Sequence, residues 1–269
     1  MRYFFHIGYH GYTYHGWQRQ AGDMSVQEKI EDALSSIFQT PIIALGCGRT
    51  DAKVSASQYF FHADIEKEWD FDLKFRLNKK LPPGIAIFDI IPVEPNQHAR
   101  FDAAQRTYDY FIHTYKNPFL SQVSSFYLIE KLDVTKMQEA VKLLSKYTNY
   151  RSFCKSPDKH HSTICEVSHA QLFVNQNGDK IRFQITSNRF IKGMIRIIVG
   201  KLLEIGKGEF TVEEFENALK TTEPLKLLSP AHPQGLYLSK VIYPYLNIAP
   251  RVDFSTILQN NVDVLWEQI

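Results

Sequence analysis

The sequence is poor in cysteine: among 269 residues there are three, Cys47, Cys154 and Cys165. An odd number without close pairing excludes a disulfide framework and the paired spacing of a structural zinc site, and it implies reduced thiols in the cytosol. Long apolar runs are also missing. None approaches the roughly 20 residues that cross a bilayer, and Met1-Arg2-Tyr3-Phe4-Phe5-His6 turns polar too early for a signal peptide. Charge of one sign is scarce, with 31 Lys and Arg against 29 Asp and Glu, so bulk electrostatics does not identify a nucleic-acid partner. Neither a phosphate-cradling glycine loop nor a dinucleotide fingerprint appears. Nothing is low in complexity, and an apolar content of 44% supports a sizeable core in one large domain or two modest ones.

Hydrophobic periodicity divides the chain into alternating strands and helices. Arg2 to Tyr9 alternates as a strand. Ser25-Val26-Gln27-Glu28 is a capping-box sequence, and Val26, Ile30, Ala33, Leu34, Ile37 and Phe38 then share one helical face. Pro41-Ile42-Ile43-Ala44-Leu45 reads as a buried strand and Gln58 to Ala63 as a second. Asp70 is expected to cap a helix over 71–80, ended by Pro82-Pro83-Gly84 and followed by a strand from Ile85 to Ile91. After a seam at Gln97 to Ala103 come a strand beginning at Arg106, a helix capped by Asp133, and a hairpin of 165–174 with 181–187 around Asn175-Gln176-Asn177-Gly178. A basic helix over 190–204, a second capping box at Thr211-Val212-Glu213-Glu214 and a strand from Gly235 to Val241 complete the order. These segments suggest an N-terminal half (1–100), a C-terminal half (101–246) of similar order, and a tail (247–269) expected to pack as an appended helix.

Three stretches have the composition of a site. Gly48-Arg49-Thr50-Asp51-Ala52-Lys53-Val54-Ser55-Ala56 puts an acid beside an arginine on a tight connection between strands, with glycines at 46 and 48 permitting close backbone approach. A carboxylate so placed can serve as nucleophile or base; an Asx-turn with an incidental arginine is the alternative. No motif places a second acid beside it, as glycoside hydrolysis would need. Tyr9 to Gln20 is aromatic, polar and punctuated by glycine, containing Tyr14, Trp17, Gln18 and Arg19. Exposed aromatics among Arg and Gln suit single-stranded RNA, and a tyrosine-rich loop packed on its own sheet fits equally. From Asn188 to Leu203 there are four cations (Arg189, Lys192, Arg196, Lys201) and no acid, which fits phosphate contact or a solvated helix face.

The motif 48–56 resembles the active-site sequence of the tRNA pseudouridine synthase A family, Gly-Arg-Thr-Asp-x-Gly-Val-His/Ser-Ala. The likeness continues in Tyr14 to Gln20, in His98-Ala99-Arg100-Phe101-Asp102-Ala103 with Arg106-Thr107-Tyr108-Asp109-Tyr110, in Asn188 to Gly200, and in Pro230 with Gly235-Leu236-Tyr237-Leu238. It implies an α/β (α+β) pseudouridine synthase fold: two similar halves, each with an antiparallel-rich sheet backed by helices, and an active-site cleft between them. It implies an isomerase converting uridine to pseudouridine in the tRNA anticodon stem-loop, at positions 38–40, acting as a cytoplasmic homodimer without metal or organic cofactor. By the same resemblance Asp51 is the catalytic carboxylate and Arg196 balances its charge. Tyr108 stacks on the uracil, Arg49 helps displace the base, and Leu236 or Leu238 lines the pocket. Tyr14, Trp17, Gln18, Arg19 and Arg100 then contact the RNA, and by their charge Lys53, Arg189 and Lys192 are expected to contact its phosphates. The same chemistry on another RNA position, or a tRNA-binding relative without turnover, are the rival readings. His10, Lys53 and Ser55 depart from the family pattern, which more often has aspartate, glycine and histidine. A lysine at 53 implies ordinary backbone dihedrals there, since a positive φ would cost it about 1–2 kcal/mol.

Overall fold

The computed structural model describes residues 1–251 and 267–268. In chain order its elements are β1 (Arg2–Tyr9), α1 (Val26–Phe38), β2 (Leu45–Gly46), β3 (Ser55–Asp64), α2 (Leu73–Lys80), β4 (Ile85–Val93), β5 (Gln105–His113), β6 (Ser125–Phe126), α3 (Val134–Leu143), β7 (Val167–Val174), β8 (Lys180–Ser187), α4 (Met194–Lys207), α5 (Val212–Thr221), β9 (Leu236–Ile242) and β10 (Glu267–Gln268). This mixed α+β chain forms two compact units, one of Met1–Ala104 with the segment from Tyr237, the other built on Gln105–Leu236.

In the first unit β1 is central, antiparallel to both β3 and β4. β2 adds to β3 antiparallel, and β9 joins β3 in parallel through Ser55↔Tyr237 and Ala56↔Leu238. Strand β9 therefore completes the sheet of the first unit, although it follows the second unit in sequence. Phe4, Phe5, Ile7, Tyr59, Phe60 and Phe61 are buried on adjoining strands, and the Phe5 and Phe61 rings stack with centroids 4.6 Å apart. Helix α1 begins where the periodicity places it: the Ser25 hydroxyl accepts from the Glu28 amide, and Val26, Ile30, Ala33, Leu34 and Phe38 are buried.

Two local expectations fail here. Residues 41–44 are not a buried strand: only Leu45 and Gly46 pair, and Ile43 and Leu45 are exposed while Ile42 and Ala44 are buried. An apolar run of five is equally consistent with a covering loop that buries alternate side chains. The α2 cap is Asp72, not Asp70, its carboxylate accepting from the Phe75 amide at 2.9 Å. Of two acids on one polar run, the cap is the one three residues before an unpartnered helical amide.

The second unit has a β7-β8-β5 antiparallel sheet, with β6 parallel to β5 and β10 added to β7. Helix α3 packs on β7 and against α4 and α5. Asp133 caps α3, and both bonds of the Thr211–Glu214 capping box are formed at α5. The expected basic helix starts later than its charge pattern implies. Gly193, at φ +76°, is the N-cap of α4, so 190–193 lie outside the helix. A left-handed residue cannot sit within an α-helix, and it sets the boundary that side-chain chemistry left open. Most of the tail, and with it the appended helix expected over 247–269, lies outside the described residues; 247–251 are not helical.

Three histidines are packed into these sheets. His6, His62 and His113 are each 1% exposed, and their Nε2 atoms lack a hydrogen-bond partner. His62 Nδ1 accepts from the Ala99 amide at 3.2 Å, which leaves the ring proton on Nε2. Burial, with His98 adjacent, pushes its pKa down to about 4, and burial likewise lowers those of His6 and His113. In the unfolded chain a histidine titrates near 6.5. Between pH 6.5 and about 4 the unfolded chain therefore holds a proton that folded His62 refuses, so stability present above 6.5 is lost as pH falls. The slope is about 1.4 kcal/mol per pH unit for each such group. His62 alone should lower unfolding free energy by about 2 kcal/mol at pH 5 relative to pH 7. Urea unfolding at the two pH values measures this, and equal midpoints would refute a neutral buried imidazole.

Candidate active site

The connection between β2 and β3 alternates inward and outward. Cys47, Thr50, Val54 and Ser55 are buried, whereas Arg49, Asp51, Ala52 and Lys53 are exposed. Each inward residue is tied to the sheet or to the loop after β1. The Cys47 amide donates to the Phe60 carbonyl at 2.7 Å, and the Tyr59 hydroxyl donates to the Gly48 carbonyl at 2.6 Å. Thr50 Oγ1 and the Tyr9 hydroxyl share a hydrogen bond of 2.9 Å. With Thr50 pinned inward, its two neighbours must project outward, because adjacent side chains on extended backbone point to opposite sides. That places Asp51 and Arg49 on the exposed side of a loop whose backbone is fixed.

The loop after β1 supplies the other half of the support. Gly16, at φ +86°, approaches so closely that a Cβ would lie 2.3 Å from the Thr50 carbonyl oxygen. The Trp17 amide donates to that same oxygen, and the Lys53 amide donates to the Tyr14 carbonyl at 3.0 Å. Trp17 stacks on Tyr59 with centroids 4.2 Å apart. Tyr14 and Trp17 are 4% and 2% exposed, so the expectation that they offer stacking faces to RNA is corrected: their rings are core, and they hold the motif from beneath. Burial also raises the pKa of the Tyr14 hydroxyl. Gln18 and Arg19 are largely turned toward α1. Gln18 donates to Gln27, and the Arg19 guanidinium lies 3.3, 3.8 and 3.9 Å from Glu31, Asp32 and Glu28. The acids of α1 satisfy a cation that sequence reasoning gave to the RNA.

Lys53 is also corrected. Its φ is +66°, a left-handed conformation that costs a side chain with a Cβ about 1–2 kcal/mol. The cause is the pair of backbone bonds on either side, Lys53 N to Tyr14 O and Val54 N to Asp51 O, which curl the loop whatever residue stands there. Ser55, the other departure within the motif, has a structural role: its buried hydroxyl accepts from the Gly11 amide at 2.9 Å. Tyr12, half-buried, was not singled out as a site residue, yet the Lys53 ammonium lies 5.3 Å from its ring centroid. Leu238 is buried on β9 opposite Ala56, and Arg100 is exposed beside the Phe101 ring.

In the second unit Tyr108 lies on β5 opposite Ile185, 9% exposed, its ring edge-on to Phe190 with centroids 5.1 Å apart. Phe190 belongs to the β8–α4 connection, which also carries the exposed Arg189 and Lys192. The Lys155 amide donates to the Lys192 carbonyl at 3.0 Å, bringing a third exposed cation to that loop. Arg196 is in the first turn of α4. Its Nε donates to the Ala231 carbonyl at 2.6 Å, and its own carbonyl accepts from the Ala231 amide, so segment 229–231 fixes the guanidinium. Lys201, counted among the basic residues, is buried and paired with Glu204 at 2.6 Å; it is not part of a phosphate-binding face. Leu236 is buried at the start of β9. Tyr110, facing the same way as Tyr108, is fully committed to Ser125, Tyr127 and the His232 carbonyl, and burial pushes its hydroxyl pKa well up.

A profile of the tRNA pseudouridine synthase family matches residues 140–244. Among curated proteins, the tRNA pseudouridine synthase A of Parabacteroides distasonis is 40% identical over 90% of this chain and 96% of its own length. The chain belongs to the tRNA pseudouridine synthase A family. The proteins of that name from Bacteroides thetaiotaomicron and Colwellia psychrerythraea are 39% and 34% identical, over 91% of this chain in both cases and 91% and 94% of their own lengths. The fixed loop bearing Asp51, the sheet residue Tyr108 and the clamped Arg196 are the chain's counterparts of the motifs by which it resembles the tRNA pseudouridine synthase A family.

Proposed function

We propose that this isomerase, which converts uridine to pseudouridine in tRNA, acts in the anticodon stem-loop at positions 38–40, with Asp51 as its catalytic carboxylate. The observation that carries this reading is the presentation of Asp51: an exposed carboxylate on a loop immobilised by Thr50, Gly16 and the Tyr14 carbonyl. The reaction breaks the N1–C1′ bond, turns the uracil, and joins C5 to C1′, with the C5 proton removed and N1 reprotonated. It needs a carboxylate held in place at the sugar or base, a stacking surface for the detached ring, and exclusion of water by the flipped nucleotide. Tyr108, with its ring braced by Phe190, provides the stacking surface. Arg196, fixed through Ala231, supplies the counter-charge, while Arg49 helps displace the base and Leu236 and Leu238 line the pocket. Arg100 contacts the RNA outside it.

The enzyme works as a homodimer in the cytoplasm, the latter in keeping with three buried cysteines outside any disulfide; burial holds the Cys165 thiol up at about 11. Among the described residues no helix is long and apolar enough to cross a membrane. The deciding experiment is incubation with unmodified tRNA transcripts and mapping of pseudouridine at nucleotide resolution. New pseudouridine at 38–40 supports the assignment, a different position moves the target, and none at all refutes catalysis. Arg189 and Lys192 provide a binding test. Their joint replacement by Ala should lower the slope of log K against log salt by roughly 0.7–0.9 for each lost phosphate contact. A wild-type slope would remove this loop from the RNA interface.

A further inference from the structure

Lys53 combines three properties that an ordinary surface lysine does not. Its backbone is left-handed, at φ +66°, in a region that hinders any residue with a Cβ. Two hydrogen bonds, from its own amide and from that of Val54, impose the conformation, so the strain belongs to the position and glycine would relieve it. Its side chain is also placed. The ammonium lies 5.3 Å from the centroid of the Tyr12 ring, within the ~6 Å range of a cation–π contact, and the His10 ring stacks against Tyr12 with centroids 6.3 Å apart. Finally, its charge is not matched. Among the described residues Lys53 has no carboxylate partner, whereas Arg19, on the neighbouring loop, faces three. Strained backbone persists where the surrounding structure over-determines it, and such positions cluster at functional sites.

We propose that Lys53 and Tyr12 form a clamp for one phosphodiester of the RNA strand entering beside Asp51, an assignment that rests on the tRNA reading above. Lys53 and Asp51 are two residues apart, so their Cα atoms are no more than about 7 Å apart. A nucleotide whose sugar meets the Asp51 carboxylate therefore carries a phosphate within reach of a four-carbon stem. The ring face of Tyr12 holds the ammonium in place, 5.3 Å from its centroid. The clamp reads the path of the backbone and not the base, so it selects among RNA shapes.

The test uses the full-length protein and an unmodified tRNA transcript, with affinity measured across a salt series. Lys53→Gln removes the charge and leaves the strained backbone; Lys53→Gly removes both; Lys53→Arg keeps the charge. Both Lys53→Gln and Lys53→Gly should lower the salt slope by roughly 0.7–0.9 and weaken low-salt binding several-fold, while Lys53→Arg keeps the wild-type slope. Lys53→Gly should also melt at a higher temperature than wild type, because it relieves the left-handed residue. Tyr12→Leu should weaken binding without changing the slope, since the charge remains but is no longer held. A wild-type slope and affinity for Lys53→Gln overturns the clamp. That outcome in an enzyme that still makes pseudouridine sinks the clamp alone, whereas a wild-type protein that makes none sinks the reading beneath it.

Discussion

Asp51→Asn should abolish turnover, by more than about 10³-fold, while tRNA affinity stays close to wild type. The amide has the shape of the carboxylate but neither its charge nor its nucleophilicity. The supports of the loop do not depend on that charge: Thr50 Oγ1 on Tyr9, Trp17 N on Thr50 O, and Lys53 N on Tyr14 O are contacts of neighbouring residues. Those three contacts survive the substitution. Binding should persist because the exposed cations Arg49, Lys53, Arg189 and Lys192 are untouched. Single-turnover assays with saturating enzyme, alongside direct binding, make the measurement. Residual activity above about a tenth of wild type would remove Asp51 from the central step.

Gly16→Ala should be the next most damaging, by a different route. The added methyl would sit 2.3 Å from the Thr50 carbonyl oxygen, and the residue would be held at φ +86°. Backbone strain of about 1–2 kcal/mol adds to overpacking of about 1–3 kcal/mol. Part of the clash can be relieved only by moving Thr50, and Asp51 moves with it. A displacement near 1 Å at a reacting group costs on the order of 10²-fold in rate. Gly22→Ala is the control: φ is +84° there, but nothing lies within 4 Å of the added carbon. It should lose only the backbone term and retain activity. Equal kcat for the two variants would mean that the Gly16–Thr50 contact does not position the carboxylate. Thermal unfolding and kcat measured together separate the two contributions.

Much of this architecture is legible in the sequence where a single physical signal decides the outcome. Ser25, Asp133 and Thr211 announce their helices because a short oxygen-bearing side chain before an apolar stripe has few other uses. The hairpin of β7 and β8 is visible because Asn-Gly punctuates two alternating runs. The errors arise where the deciding contact is distant in sequence. Nothing near Trp17 says that its face is taken by Tyr59, or near Arg19 that α1 places three acids around it. Lys201 reads as a member of a basic face until Glu204 and the burial of α4 are known. The left-handed turn at Lys53 is set by the Tyr14 carbonyl, thirty-nine positions earlier, and side-chain identity pointed to the opposite conformation. The Asp51 motif itself is legible as a string, and its rigidity is not, because that comes from Tyr9, Gly16 and Tyr59.

Because β9 completes the sheet that supports the loop bearing Asp51, the order of synthesis matters. Ser55 and Ala56, the first residues of β3 after the motif, are paired by Tyr237 and Leu238, and Gln58 is engaged by the Val241 amide. A ribosome must release all of Gln105–Leu236 before those partners exist. A nascent chain ending within the second unit thus has the whole Asp51 motif but an unfinished floor beneath it. Closing the sheet joins distant chain segments, and the loop-closure entropy is greater while the intervening unit is still unfolded. The second unit is then best folded first, as a staple that brings β9 back to β3. Premature termination anywhere before β9 would leave an intact signature sequence on an incomplete sheet, and RNA modification would await chains that extend through β9.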